Sequence, residues 1–252
     1  MAGPAGDGGG PVSLRFAALS YRVRAGATDQ VRRIFSPQGF QRAASPAVVD
    51  AAGREVGYMA ATALFLKDTT MVRISQYEGE FDDLGRHIAR LPGARRAEEA
   101  LAGWLDEPGR RCGGTPDEFL ANFRRNTMTP VANRTYQDRV SAITAVHRRL
   151  RPGGDDRVCA LFATETGIGE PERLHAVAAF VRDGDLVEVI QHEGEPAAAI
   201  EELLALPGRR DLERELSDLL AEPGRGKSLA TRVMPSISQF SVADRVGTAG
   251  GD

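Results

Sequence analysis

An internal repeat limits the folds that this 252-residue chain can adopt. Residues 60–110 align without a gap with residues 175–225, and 20 of these 51 positions are identical. Composition bias does not produce this many identities, so the chain contains two copies of one small unit. Upstream of the aligned block the offset between the copies grows by about 12 residues, which are additional in the first copy. The predicted organisation is a tail at 1–12, a first repeat at 13–134, a second repeat at 135–242 and a tail at 243–252, both tails being disordered.

Each copy has the same predicted order of elements, namely strand, helix, strand, strand and helix. Apolar, partly alternating runs predict the strands, and Asp183-Gly184 predicts a tight hairpin between the last two strands of the second copy. The helical stripe that follows is interrupted at Pro92-Gly93. Short apolar segments predict a closing strand for each copy, at Met128-Thr129-Pro130 and at Met234-Pro235.

This order predicts an α+β fold of the ferredoxin-like type, βαββαβ, in tandem. Helices cover only one face of such a sheet, so the other face needs a partner. A second copy supplies one, and we expect two sheets packed face to face as a pseudo-dimeric αβ-barrel with a pocket between them.

Composition excludes several classes of function. The net charge is −3 with charges of both signs interleaved, which disfavours a nucleic-acid or lipid partner. No apolar run is long enough to cross a bilayer and Met1–Pro11 does not resemble a signal peptide, so we expect a cytoplasmic protein. Motifs for dinucleotides, for a zinc site and for a serine hydrolase are absent from the sequence, and we expect neither a cofactor nor a metal.

Alternation along the strands sorts side chains between the two faces of each sheet. Val72 and Ile74 are similar in both copies, which predicts that they face the helices. Arg73, Ser75 and Tyr77 would then face the space between the sheets, as substrate-binding residues and, for Tyr77, as a catalytic phenol.

The first strand of each copy is interpreted in the same way. Leu19 and Val23 are predicted to face the helices, which turns Arg22 towards the space between the sheets. In the second copy His147 and Arg149 are predicted to face that space.

His147 and His192 lie on strands that are neighbours in a split βαβ sheet, so we expect them close together. Imidazole takes a proton from a phenol near neutral pH, and a nearby arginine stabilises the resulting anion. The structural alternative is that either histidine only caps a strand edge in water. His87 is a further catalytic candidate with a solvated or capping role as its alternative, and Trp104 is a substrate-binding candidate whose alternative is packing in the core.

Several stretches of the first copy resemble the SchA/CurD-like proteins of aromatic polyketide pathways. They are Tyr21-Arg22-Val23-Arg24-Ala25-Gly26, Tyr77-Glu78-Gly79-Glu80, Arg86-His87-Ile88-Ala89-Arg90-Leu91-Pro92 and Leu105-Asp106-Glu107-Pro108. The second copy departs from this pattern, for example with His192 in place of a tyrosine. The resemblance implies a polyketide-tailoring enzyme similar to the ferredoxin-like, cofactor-independent monooxygenases and cyclases.

From the resemblance and the candidate base we expect hydroxylation of a polycyclic aromatic polyketide by O2 to a quinone-level product. An aldol cyclase and a non-catalytic polyketide-binding module are the alternatives, and a homodimer of the chain is left open.

Overall fold

The structure is a computed structural model of the 252-residue chain. It describes residues 14–36, 39, 45–106, 115–137, 139–164, 169–221 and 229–241. The predicted tails at 1–12 and 243–252 lie outside the described residues.

The described residues form nine strands and seven α-helices, which confirms the α+β class. The first repeat contains β1 (Arg15–Arg22), α1 (Thr28–Ile34), β2 (Ala47–Val49), β3 (Glu55–Lys67), β4 (Thr70–Gly79), α2 (Phe81–Arg90), α3 (Pro92–Ala102), α4 (Pro116–Asn126) and β5 (Thr129–Thr135). The second repeat contains β6 (Ala142–Arg149), α5 (Gly154–Ala163), β7 (Leu174–Arg182), β8 (Asp185–His192), α6 (Pro196–Ala205), α7 (Arg209–Leu219), a 3₁₀ turn at Leu229–Arg232 and β9 (Ser236–Ser241).

The strands form two antiparallel sheets. In the first, β4 lies between β1 and β3, and both β2 and β9 pair with β3. In the second, β8 lies between β6 and β7, and β5 pairs with β7. In each repeat, therefore, the strand predicted as the first (β1 or β6) lies beside the strand predicted as the third (β4 or β8), as the sequence predicts. β2 is an additional strand of the first repeat.

The closing strands are exchanged between the repeats. β5 is the last strand of the first repeat but pairs with β7 of the second. β9 is the last strand of the second repeat but pairs with β3 of the first. Just before each exchange the chain still touches its own repeat, through bridges of Thr127 with Leu19 and of Val233 with Val146. Each sheet is thus completed by a strand from the other repeat.

The hairpin turns follow from local backbone preferences. Asp183 and Gly184 both have positive φ values, 52° and 76°, which is the backbone of the tight turn predicted for an Asp-Gly pair. Asp68 occupies the equivalent position in the first repeat with φ 53°. Aspartate tolerates this left-handed region better than most residues.

The predicted break in the first helical stripe is confirmed. α2 ends at Arg90 and α3 begins at Pro92, where the proline ring suits a first helical position. α4 is an additional helix that packs on α2, and Thr115 and Glu118 form a capping box at its start.

An apolar core lies between the two sheets. It contains Val72 and Ile74 of β4 together with Val187 and Val189 of β8. The prediction that Val72 and Ile74 face the helices is therefore wrong. These residues are alike in the two repeats because the repeats meet there, and β8 is buried along its whole length, so no apolar–polar alternation distinguishes its faces.

The face prediction for the first strand of each repeat is confirmed. Leu19 and Val23 belong to a core on the helix side of the first sheet, with Leu84 and Ile88 of α2. In the second repeat Val146 likewise belongs to a helix-side core.

A charged cluster is buried on the helix side of the second sheet. The carboxylate of Glu188 accepts hydrogen bonds from Arg148 and Arg209, and Glu213 accepts from both arginines at 2.7–3.1 Å. The side chains of Arg148, Glu188 and Arg209 are each 1% exposed. No helix among the described residues has the length and apolar character needed to cross a membrane.

Candidate functional site

A polar cavity of about 280 Å³ opens where the two repeats meet, at the end of β1 and at the turn between β7 and β8. Its walls combine hydroxyl, amide, guanidinium and carboxylate groups, among them Ser20, Arg22, Asn126, Arg182, Asp183 and Asp185. Ser20 and Arg22 come from the first repeat, whereas Asp185 comes from the second. The cavity volume lies near the lower end of the range for small-molecule sites.

Asp185 is the centre of the hydrogen-bond network at this cavity. Its carboxylate binds the imidazole Nε2 of His147 at 2.8 Å and Nη1 of Arg149 at 2.7 Å, and it accepts a further bond from Arg22. Arg22 also donates to Thr70 Oγ1 at 2.7 Å. One buried carboxylate thus holds three cationic or titratable side chains from two repeats.

The electrostatics of the cluster keep Asp185 ionised. Burial by itself would raise the pKa of its carboxyl, which is 2% exposed. Hydrogen bonds from His147 and Arg149, together with the charge of Arg22, outweigh burial and hold the pKa of Asp185 below its usual value. An ionised carboxylate only accepts hydrogen bonds, so Nε2 of His147 must carry the proton that it shares with Asp185.

Arg182 connects segments of the two repeats in the cavity wall. Its guanidinium donates to the carbonyl oxygen of Ser20 and to Oδ1 of Asn126, both at 3.2 Å, and it pairs with Asp183 at 3.2 Å. Asn126, the last residue of α4, is 2% exposed, and its amide oxygen is the acceptor for Arg182. A cation from β7 of the second repeat therefore positions two segments of the first.

Three of the residues predicted for the site meet at this cluster. Arg22 lines the cavity, and His147 and Arg149 both contact Asp185, which lines it. All three come from first strands, where the predicted face is confirmed.

His192 lies elsewhere, and the expected proximity of His147 and His192 is wrong. In the pairing of β6 with β8, His147 lies opposite Val187 while His192 lies opposite Ala142, five residues before His147 in β6. Five residues of strand span about 17 Å, and the odd offset places the two imidazoles on opposite faces of the sheet.

The surroundings of His192 are those of a buried neutral imidazole. Its Nε2 is 2.8 Å from Thr144 Oγ1, and its ring is buried on the helix side of the second sheet. Burial lowers the pKa of His192, with a smaller contribution from the charge of His175. His192 is therefore buried, not the strand-edge residue in water that was the structural alternative.

Tyr77 and His87 lie on the helix side of the first sheet. Tyr77 packs in the helix-side core with its ring centroid 6.5 Å from that of Phe81, and burial raises the pKa of its phenol. His87 of α2 accepts a hydrogen bond at Nδ1 from the backbone N–H of Val49 at 3.2 Å. Burial, followed by the charge of Arg90, lowers the pKa of His87. This imidazole anchors β2 to α2.

Arg73, Ser75 and Trp104 also lie away from the cavity. Arg73 and Ser75 share the face of Tyr77 on β4, so they face the helices and not the space between the sheets. Ser75 is fully buried. Trp104 follows α3 and is 38% exposed, so its predicted alternative of core packing is not what the structure shows.

Sequence reasoning missed Asp185 and Arg182. Both flank the Asp-Gly turn, and the Arg-Asp-Gly-Asp stretch was interpreted only as a hairpin signal. The pairing of β6 with β8 contains the missing signal, because it places Asp185 directly opposite Arg149. No group of three or more His, Cys, Asp or Glu side chains within the described part of the chain is arranged to hold a metal ion.

Comparison with solved structures gives loose likenesses. A protein from Lactobacillus acidophilus NCFM aligns with a TM-score of 0.43 and 6% identity, over 91% of this chain and 96% of that protein. An anthrone oxidase-like protein aligns with a TM-score of 0.40 and 13% identity, over 91% and 96%. TM-scores this low do not establish a shared fold.

Curated relatives are closer in sequence. The chain is 31% identical over 207 residues to a 42.8 kDa protein in the whiE locus of Streptomyces coelicolor, which covers 79% of the chain and 50% of that protein. It is 28% identical over 230 residues to Protein SchA of Streptomyces halstedii, covering 82% and 52%. It is 27% identical over 240 residues to the polyketide synthase CurD of Streptomyces cyaneus, covering 90% and 63%. The chain thus spans between half and two thirds of the length of these relatives.

The family model described as "SchA/CurD like domain" matches residues 14–136, which run from the start of β1 to just beyond β5. This range includes the stretches on which the resemblance was based. The chain therefore contains a SchA/CurD like domain at residues 14–136.

Proposed function

We propose that the protein is a tailoring enzyme of aromatic polyketide biosynthesis that uses O2, without an added cofactor, to oxygenate a polycyclic phenol to the quinone level. The observation that carries this proposal is the hydrogen bond between His147 and the buried Asp185 beside a cavity rich in arginine. The SchA/CurD like domain and a relative named as a polyketide synthase support the substrate class.

In the first step His147 acts as the base. The carboxylate of Asp185 accepts a hydrogen bond from Nε2–H, which leaves Nδ1 of the same ring as the unprotonated nitrogen. Nδ1 takes a proton from a phenol or from an activated methylene of the substrate. The aspartate stabilises the imidazolium that forms.

The arginines then stabilise the substrate anion. Arg22 and Arg182 both line the cavity, and a guanidinium is a fixed, permanently charged donor for a phenolate or enolate oxygen. An electron-rich anion of this kind transfers electrons directly to O2. Conversion of a ring CH2 to C=O incorporates one oxygen atom, and the second oxygen leaves as water with both hydrogens.

For the fold we propose the finer description of tandem ferredoxin-like units joined as an αβ-barrel. Three observations support it. The strand order is β1-β4-β3 in the first sheet and β6-β8-β7 in the second, the two sheets share an apolar core, and β5 and β9 are exchanged. This arrangement puts the cavity at the rim of the contact between the sheets and not at its centre, which is filled with side chains.

The test is turnover of a dihydroxyanthrone, as a representative polycyclic phenol, by the purified protein under air and under nitrogen. We expect a product that gains one oxygen and loses two hydrogens, with consumption of one O2, under air only. The His147→Gln variant should lose about a hundredfold in rate or more. His175→Gln is the matched control, because it removes a buried imidazole of the same repeat near the opposite end of β7.

Three outcomes contradict the proposal. Equal turnover of an aromatic precursor under nitrogen, with loss of water only, indicates a cyclase. Binding of the phenol without turnover, unaffected by His147→Gln, indicates a binding module. An equal loss of rate in His147→Gln and His175→Gln indicates that both changes act through the fold.

A further inference from the structure

The two repeats place equivalent arginines at equivalent points of their sheets. Arg149 lies opposite Asp185 where β6 pairs with β8, and Arg22 lies opposite Thr70 where β1 pairs with β4. Each arginine donates to its cross-strand partner at 2.7 Å. The framework at this end of the molecule is therefore the same in both repeats.

The chemistry on that framework is different. By the alignment of the repeats, Asp185 replaces Thr70 and His147 replaces Ser20. Serine and threonine hydroxyls do not titrate near neutral pH, so the first repeat has hydroxyls where the second has a base and a carboxylate. Among the described residues the imidazole–carboxylate pair is found at the second-repeat position and has no counterpart at the first.

The first repeat contributes a cation instead. Arg22 crosses the boundary between the repeats and donates to Asp185, so the carboxylate joins Arg22 of one repeat with His147 and Arg149 of the other. A cluster assembled in this way needs both repeats. The equivalent cluster would require a carboxylate at Thr70, and the sequence does not supply it.

We propose that Asp185 is a positioning residue that fixes His147 with the proton on Nε2 and the base at Nδ1, and that each chain holds one such site. The catalytic part of this inference rests on the proposed function. The tautomer of His147 does not depend on it.

The tautomer is read from ¹H–¹⁵N correlations of the histidine rings in the ligand-free 252-residue chain. We expect His147 to carry hydrogen on Nε2 in the wild type. In Asp185→Asn the side-chain amide is able to donate to Nε2, so the hydrogen should move to Nδ1. Asp156→Asn is the matched control, because Asp156 is an exposed carboxylate at the start of α5, and it should leave the wild-type pattern unchanged.

Two results of that experiment overturn the proposal. One is a wild-type ring with hydrogen on Nδ1, which is measurable even if Asp185→Asn does not fold. The other is an unchanged tautomer in a folded Asp185→Asn. Both are observed without substrate, so they are separate from any failure of the oxygenation reaction.

Stoichiometry and kinetics test the remaining parts. Titration of the wild type with a dihydroxyanthrone under nitrogen should give one site per chain, and two equal sites would contradict the inference. In Asp185→Asn we expect kcat to fall about a hundredfold with a much smaller change in KM, and Asp185→Glu should restore part of kcat. An equal rise of KM in both variants, with kcat unchanged, would show that Asp185 serves binding and not orientation.

Discussion

The side-chain amides of Gln76 and Gln191 hydrogen-bond to each other reciprocally between the two sheets, at 3.0 and 2.9 Å. The two residues are equivalent in the repeat, and both are buried in an otherwise apolar layer. The pair therefore links the repeats at a point where neither amide has access to water.

Replacing one of the two glutamines should cost more than replacing both. Gln76→Leu leaves the amide of Gln191 buried without its partner, which costs about 1–3 kcal/mol of unfolding free energy. The double replacement with leucine leaves no unsatisfied group and should recover most of that loss. Urea denaturation of both single variants and the double variant measures this, and strictly additive losses would contradict the interpretation.

Removing the charge of Glu188 should destabilise the second repeat strongly. Despite its burial, the charges of Arg148 and Arg209 hold the pKa of Glu188 below its usual value, so the ionised carboxylate is what balances them. Glu188→Gln leaves buried guanidinium charge uncompensated, and we expect a loss of about 3–5 kcal/mol. Glu213→Gln is the matched control, because the Glu213 side chain is 23% exposed, and its loss should be smaller. Equal midpoints for the two variants in urea would count against this account.

Arg182→Met should weaken the proposed reaction. It removes a charged donor from the cavity wall, and a hydrogen bond to a charged group is worth about 1.5–3 kcal/mol, so kcat/KM should fall about tenfold to a hundredfold. Lys67→Met is the control, because Lys67 is the equivalent residue of the first repeat and donates to the carbonyl oxygen of Thr231 away from the cavity. Steady-state rates for the two variants decide the matter, and equal rates would remove Arg182 from the site.

Stability should fall on mild acidification because of buried imidazoles. Burial places the pKa of His192 below the ordinary value of about 6.5, so below that pH the unfolded chain binds a proton that the folded chain does not. The contribution is complete above pH 6.5 and declines as pH falls, by at most about 1.4 kcal/mol per pH unit for one group. His175 and His87 act with the same sign.

Urea midpoints measured between pH 7 and pH 5 test this dependence. His192→Gln should flatten the slope. An identical slope in the wild type and the variant would show that folding does not lower the pKa of His192.

Local patterns in the sequence predict much of this fold. Comparison of the two copies reveals the repeat. Neighbouring residues predict the order of elements in each copy, the Asp-Gly turn and the break before Pro92. Neighbouring residues do not predict which face of the third predicted strand points to the helices, because β8 is buried on both sides and its side chains do not alternate in polarity. The exchange of β5 and β9 also leaves no local signal, since a strand has the same pattern whichever sheet it joins.

The same difference between strands explains which residues of the candidate site the sequence predicts. Arg22, His147 and Arg149 were found because first strands alternate clearly. His192 was misplaced because its strand does not alternate, and Asp185 was missed because it follows a strong turn signal. The network therefore becomes visible only when the register of β6 against β8 is known.

The exchange of strands has a consequence for the order in which the chain folds. β9 pairs Ser241 with Ala61, so the part of β3 that pairs with β9 has no partner until residues about 180 positions later have been synthesised. Contacts this distant along the chain slow folding, while the helices, whose contacts are local, form early. During synthesis β3 would therefore leave the ribosome with an unpaired edge, the kind of surface on which chaperones act and from which aggregation starts.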